Sequence, residues 1–190
     1  MRANVATSRW FAAVFHTKFL LFMKQTILRY GLLSGALAAI LMTCTAINPD
    51  FENGAYFGYA GILLSMLFVY FGVRSYREQV GAGILSFGKG FQIGILIAIV
   101  SCLCYVIAWM FISDLFMPDF MDKYIQHTLT KMQQSGASTV ELEKYTADMA
   151  NFKVMYKNPL VKFGLTFLEP FPVGFLVALI SALVLRKQAV

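Results

Sequence analysis

The sequence predicts an all-α integral membrane protein with four transmembrane helices and an outer-face helical hairpin between the third and fourth. Three observations predict this class. Hydrophobic residues make up 58% of the 190 residues and charged residues only 14%, whereas soluble domains have about 25% charged residues. The apolar residues fall into four long runs, and the basic residues gather on one side of them. The alternative, a soluble all-α bundle, rarely contains apolar runs of this length.

The predicted spans are residues 27–47, 56–73, 91–113 and 163–185, within a membrane domain over residues 23–190. Each run has about 18–23 residues, and a rise of about 1.5 Å per residue makes it about 27–35 Å long. This matches a hydrocarbon core of about 30 Å. We expect helices because a helix satisfies its own backbone hydrogen-bonding groups in lipid, and an open strand does not.

The N-terminal extension, residues 1–22, leaves two alternatives open. It mixes aromatic residues such as Trp10 and Phe15 with basic residues such as Arg9 and Lys18, and its apolar stretches are too short for a span. One alternative is an amphipathic helix in the cytoplasmic interface of the membrane. The other is that the native chain starts at Met23.

The basic residues predict the orientation. The N-terminal segment, the loop between the second and third spans and the C-terminal tail together contain ten basic residues and one acidic residue. The loop over residues 48–55 has two acidic residues and no basic one, and the region over residues 114–162 has six of each, so together they are slightly acidic. Cytoplasmic loops collect Lys and Arg, so both termini are expected in the cytoplasm. The same bias explains the net charge of +6, and nucleic-acid binding is not expected because no recognition motif accompanies the charge.

Small residues repeat every four positions in three of the spans, which favours close helix packing because lipid provides no hydrophobic drive for association. The repeats are Gly31, Gly35, Ala39 and Thr43 in the first span, Gly90, Gly94, Ala98 and Cys102 in the third, and Gly174, Ala178 and Ala182 in the fourth. The second span has Gly54 with Gly58 and Gly61 with Ser65. We expect packing within the chain; a homodimer face is the alternative.

Glu169 is the strongest candidate functional residue, because charged groups inside a membrane are costly and often functional. Pro170 and Pro172 follow it, and they predict a kink or break in the fourth span. In one interpretation the break exposes Glu169 as a proton or cation site. In the other, the helix first begins at Pro170 and Glu169 lies in the outer interface, where the helix dipole favours a carboxylate.

No metal, cofactor or disulfide is expected. Cys44, Cys102 and Cys104 fall within spans, where thiols stay protonated and inert. His127 has no second histidine or cysteine at metal-ligand spacing.

The glycine-rich loop over residues 80–90 does not match a phosphate-binding loop, because Gly90 and not Ser or Thr follows Lys89. It predicts a tight cytoplasmic turn. Arg74, Arg77 and Lys89 flank or lie within it, and their expected contacts are anionic lipid head groups.

The region over residues 114–158 predicts the hairpin. Its first helix is expected over residues 119–134, and a capping box from Ser138 to Glu141 starts the second. An apolar seam then follows at helical spacing, formed by Leu142, Tyr145, Met149, Phe152 and Tyr156.

Short motifs together resemble an uncharacterised bacterial family, domain of unknown function 4199. They are Gly72-Val73-Arg74-x-Tyr76-Arg77, Gly83, Phe87-Gly88-Lys89-Gly90-Phe91-x-x-Gly94, Pro118-Asp119-Phe120 and Glu169-x-x-Pro172-Val173-Gly174. The resemblance covers about Met23–Lys187. It implies a four-helix protein of the bacterial inner membrane, and it carries Arg74, Arg77, Lys89 and Glu169 as candidates without assigned roles.

Two functions are compatible with these features. The first is a non-enzymatic membrane component or accessory subunit that presents the hairpin to a partner. The alternative is a small oligomeric transporter or channel in which Glu169 couples to an ion. An enzyme is not expected, because the sequence has no HExxH motif, no paired membrane aspartates and no Ser–His pair at membrane depth.

Overall fold

The structure is a computed structural model that describes residues 3–47, 50 and 52–187, with side chains described over residues 20–46, 50 and 52–187. The described part of the chain forms seven helices. They are α1 (Ala3–Ile47), α2 (Gly54–Gln79), α3 (Phe87–Leu115), α4 (Phe120–Gln134), α5 (Thr139–Tyr156), α6 (Pro159–Leu168) and α7 (Phe171–Leu185).

Four helical segments are long and apolar enough to cross a membrane, which confirms the predicted fold class. They are Leu20–Ala46, Gly54–Gln79, Phe87–Leu115 and Pro159–Leu185. Only 28–33% of the residues in the most apolar window of each segment are buried within the protein. Large apolar side chains such as Ile40 and Ile180 point outward. A soluble bundle would leave this surface in water, so the chain is a multi-pass membrane protein.

The spans are longer than the sequence predicted, and the fourth consists of two helices, α6 and α7. Helix α1 is unbroken from residue 3 to residue 47 and is about 67 Å long at about 1.5 Å per residue, more than a hydrocarbon core needs. Side chains before Leu20 lie outside the described set. The two alternatives for residues 1–22 therefore stay predictions.

Helix α3 is at the centre of the bundle. It packs against α1, α2, α6 and α7, and its inward side chains have almost no exposed surface. The fully buried apolar ones on α3 are Ile93, Ile97, Ala98, Cys102 and Val106.

The small-residue repeat of α1 lies against α3. A Cβ atom built on Gly35 would lie 2.3 Å from Cys104 Cβ, and one built on Gly31 would lie 2.7 Å from Val100 Cβ. Both distances are far below van der Waals contact. Only a residue without a side chain allows the two backbones to approach this closely.

The repeats of α3 and α7 face each other. A Cβ atom on Gly94 would lie 3.0 Å from Ala178 Cβ, and one on Gly174 would lie 2.9 Å from Ala98 Cβ. Packing of these repeats within the chain is therefore confirmed. In α2, by contrast, a Cβ atom on Gly54 or Gly58 would meet no described atom within 4 Å.

Three serines connect α1, α2 and α3 inside the bundle. Ser34 Oγ donates to the Ser65 carbonyl at 2.8 Å and lies 2.7 Å from Ser101 Oγ. Because the single Ser34 hydroxyl hydrogen is used on Ser65, Ser101 is the donor in the second bond. All three residues are buried, so the network satisfies polar groups that lipid could not.

Helices α4 and α5 form the predicted hairpin. The capping box is present: Ser138 Oγ accepts from the Glu141 N–H, and the Ser138 N–H donates to Glu141 Oε2 at 2.8 Å. Hydrogen bonds from Ser138 hold the pKa of Glu141 below its usual value. The predicted seam, from Leu142 to Tyr156, is half-buried.

We expect Gly35→Ala to destabilise the bundle by about 1–3 kcal/mol, because the added methyl group overlaps Cys104 and the backbones must separate. The measurement is thermal or denaturant unfolding in detergent micelles. Gly58→Ala is the matched control: it adds the same atom on α2 in open space and should be neutral or slightly stabilising through helix propensity. Equal effects of the two substitutions would contradict the packing argument.

Candidate functional site

Glu169 lies at the junction of α6 and α7. Its backbone and that of Pro170 keep helical dihedral angles. The break is a loss of backbone hydrogen bonds and it has a chemical cause. Pro170 and Pro172 have no N–H, so the carbonyls of Thr166 and Leu168 lose their usual helical donors. Such freed carbonyls at membrane depth occur where broken helices carry binding sites.

Helix α6 contradicts the interpretation in which the fourth helix first begins at Pro170. It begins at Pro159, with the Asn158 side chain accepting from the Leu160 N–H at its start. Glu169 therefore lies about ten residues, or about 15 Å, from the start of the fourth segment. The interpretation in which the helix first begins at Pro170 is therefore wrong, and the predicted break in the fourth span is confirmed.

Tyr105 on α3 is the described hydrogen-bond partner of Glu169. Its hydroxyl donates to Glu169 Oε2 at 3.2 Å. Tyr105 also lies about ten residues from the end of its own segment at Leu115, so the two side chains meet at a matching depth. Tyr105 is half-buried, whereas Glu169 is exposed at the surface of the bundle. The sequence analysis missed Tyr105, because a single tyrosine in an apolar span carries no pattern.

The helix dipoles at this junction do not favour ionised Glu169. The sequence suggested that an N-terminal dipole would stabilise its carboxylate. In the structure, Glu169 is both the C-terminal cap of α6 and the residue before the N-terminal cap of α7. The negative end of one helix meets the positive end of the next, and the two effects offset each other.

The Tyr105 hydrogen bond is thus the main described support for a charged Glu169. A carboxylate at membrane depth costs about 2.5–3.5 kcal/mol or more, and a hydrogen bond to a charged group contributes about 1.5–3 kcal/mol. The hydrogen bond therefore offsets part of the cost of an ionised Glu169. Among the ion pairs of the described residues, none includes Glu169.

Stacked phenylalanines hold the fourth span together across its break. The Phe167 and Phe171 ring centroids lie 5.3 Å apart, on opposite sides of Glu169 and Pro170. Four residues separate successive rings of this row, which consists of Phe163, Phe167, Phe171 and Phe175. The row therefore provides side-chain contacts across the part of the span where the prolines remove backbone hydrogen bonds.

The predicted basic residues lie at the other end of the bundle. Arg74 Nε pairs with Glu78 Oε1 at 2.9 Å, and Arg77 lies 3.7 Å from the same oxygen. Lys89 Nζ donates to Gln92 Oε1 at 3.2 Å. Arg74 and Arg77 thus pair with Glu78, and Lys89 is hydrogen-bonded to Gln92. None of these contacts involves Glu169.

The glycine-rich turn is joined to the C-terminal tail, which the sequence analysis did not predict. Leu85 and Lys187 exchange two backbone hydrogen bonds of 2.9 Å, and the Leu85 side chain is buried. Ala82 and Gly83 have positive φ angles, so the turn depends on backbone conformations that most residues avoid. We call this side of the bundle the basic end.

The hairpin is attached to the opposite end of the bundle by polar contacts. Trp109 Nε1 donates to Tyr156 Oη at 2.8 Å. Lys162 Nζ pairs with Asp114 at 2.6 Å and lies over the Tyr156 ring. We call this side the hairpin end.

Within the described residues, no three His, Cys, Asp or Glu side chains are grouped as a metal site would need. The three cysteines are unpaired with one another, and Cys102 is buried in the hydrophobic core as a small packing residue. The described side-chain groups at the Glu169 site are one carboxyl group and one phenol, beside the carbonyls of Thr166 and Leu168 that the prolines leave without helical donors.

A protein-family model described as "Protein of unknown function (DUF4199)" matches residues 29–187, which include the hairpin and most of all four spans. No curated protein and no solved structure matches the chain.

Proposed function

The chain belongs to the DUF4199 family of proteins of unknown function, as its glycine and arginine motifs predicted, and we propose that it is a non-enzymatic membrane component. In this proposal the four-span bundle is a platform that presents the α4–α5 hairpin to a partner. The family description names no activity, so the proposal rests on the geometry of the chain itself.

The observation that carries the proposal is a hairpin with a fixed base and an open surface. Trp109 of α3 holds its base by donating to Tyr156, and Lys162 of α6, which pairs with Asp114, lies over the Tyr156 ring. None of the residues of α4 and α5 is buried, and Val140 and Val154 are 73% and 71% exposed. Exposed apolar side chains on a hairpin that is anchored at its base suit recognition of another protein.

In this proposal the chain lies in a bacterial inner membrane, and both termini are on the cytoplasmic side. The positive-inside distribution supports it: Arg74, Arg77, Lys89 and Arg186 all belong to the basic end. In this orientation the partly paired arginines and Lys89 contact anionic lipid head groups.

Reporter fusions test the orientation. A periplasm-active reporter should work when fused at Asn53 and Ser138 and stay silent at Ala82, because the first two positions lie in hairpin-end segments and Ala82 lies in the basic-end turn. Activity of a cytoplasmic reporter at Ser138 would reverse the orientation.

Site-specific photo-crosslinking tests the presented hairpin. We expect a photoreactive residue at Val140 or Val154, in native membranes, to give a protein adduct of one defined mass. The matched control is Leu176, a 54% exposed residue of α7 that faces lipid; it should give lipid adducts alone. Trp109→Phe keeps an aromatic ring but removes the donor to Tyr156, so it should lower the yield at Val140 severalfold.

Two outcomes would contradict the proposal. One is that Val140 and Val154 give lipid adducts alone, as Leu176 should. The other is that all three positions give the same protein adduct, since contact would then not be specific to the hairpin. An adduct of twice the chain mass would identify the partner as a second copy.

A second candidate function, a small oligomeric transporter or channel, is favoured by one observation, the position of Glu169 at a helix break inside a span. In that case Glu169→Gln should lower ion or proton flux in reconstituted vesicles at least tenfold. Flux equal to that of the unsubstituted protein, with equal amounts inserted, would exclude Glu169 as the coupling residue.

A further inference from the structure

We propose that Glu169 is a proton-binding site at the surface of the membrane domain, which carries a proton at neutral pH and exchanges it, with Tyr105 as its positioning residue. This proposal does not depend on whether the hairpin binds a partner, and it does not require that the protein transports ions. The reaction is the reversible addition of one proton to one carboxylate oxygen of Glu169, and no other bond changes.

The exposure of Glu169 is the first support. Its side chain is at the bundle surface, about ten residues inside a segment that crosses the membrane. A carboxylate that faces hydrocarbon loses its hydration, whereas a protonated carboxyl group carries no net charge there. The neutral form is therefore the form compatible with lipid contact.

The charged and titratable neighbours are the second support. Tyr105 on α3 contacts Glu169 directly, and Tyr59 on α2 and Tyr156 on α5 interact electrostatically with Tyr105. All three are phenols, which are neutral at neutral pH. Helix α7 has no titratable side chain. The nearby Lys162 pairs with Asp114 instead, so the described surroundings provide no cation to balance an ionised Glu169.

The Tyr105 hydrogen bond fits both protonation states. An ionised carboxylate accepts the phenol hydrogen, and a protonated carboxyl group still accepts it at its carbonyl oxygen. Glu169 can thus gain and release a proton while the side chain stays in place. A hydrogen bond to an ionised carboxylate is stronger than one to a protonated carboxyl group. Tyr105 therefore favours release of the proton, whereas lipid contact favours its uptake.

A proton fits this donor set better than a metal ion. Divalent ions need several oxygen or nitrogen ligands, and the described residues provide no group of three acidic, histidine or cysteine side chains. One carboxyl group with one phenol is sufficient for a proton.

Infrared difference spectroscopy of the full chain in lipid vesicles tests the proposal. The spectrum of the unsubstituted protein minus that of Glu169→Gln should show, at pH 7, the carbonyl stretch of a protonated carboxyl group. The band should disappear as the pH rises and carboxylate bands appear. Glu143→Gln, at an exposed hairpin position, is the matched control and should leave the protonated band unchanged.

Tyr105→Phe separates a positioning role from a structural one. It removes the hydroxyl group and keeps the ring, so the ionised form loses its donor and the protonated band should persist to higher pH. Unfolding temperatures in detergent establish that each variant is folded. If Glu169→Gln does not fold, Glu169→Asp takes its place; because it retains a carboxyl group, it should still show a protonated carboxyl band at pH 7.

Three results would overturn the proposal. Carboxylate bands alone at pH 7 would mean that Glu169 is ionised and covered by a cation or a partner. A protonated band that Na⁺ or K⁺ abolishes, while choline does not, would identify a monovalent cation site. A band that is present but does not change up to alkaline pH would mean that the proton is not exchangeable. None of these results affects the crosslinking test of the hairpin.

Discussion

The close approach of helix backbones along α3 is the constraint on which the rest of the fold depends. Lipid provides no hydrophobic drive for helix association, so stability comes from contact and from buried hydrogen bonds. Gly35 allows α1 to reach Cys104, and Gly94 allows α7 to reach α3 through Ala178. Ser34 adds a fully buried polar link to α2 and α3. The remaining surface of the spans is then free to face lipid.

The fourth span is the exception to this regular packing. Its prolines remove backbone donors at mid-span, and the Phe167–Phe171 stack keeps the two halves in register. Glu169 is the acidic side chain farthest from the ends of any described span, and its hydrogen bond to Tyr105 connects the break to the central helix. A change in the charge of Glu169 would therefore act on the contact between α6 and α3.

Local sequence signals predicted the elements well where one strong physical preference acts alone. Bilayer-length apolar runs identified the spans, and Ser138 with Glu141 identified the start of α5. Boundaries were less accurate. Helix α2 continues past Arg74 to Gln79, because a long basic side chain can leave the membrane while its backbone stays helical, and Arg74 pairs with Glu78 one turn later. The start of α6 was missed, although Asn158 before Pro159 is a helix-start signal.

The sequence by itself determined that the chain lies in a membrane, which four segments can cross it, that prolines interrupt the fourth of them and that a capped hairpin follows the third. These properties depend on hydropathy, on missing proline N–H groups and on neighbours along the chain. Only the tertiary structure decided that Tyr105 meets Glu169, that Leu85 pairs with Lys187 and that Trp109 holds Tyr156. Each of these contacts joins residues 47 or more positions apart, so its geometry depends on how the helices pack and leaves no periodic pattern in the sequence.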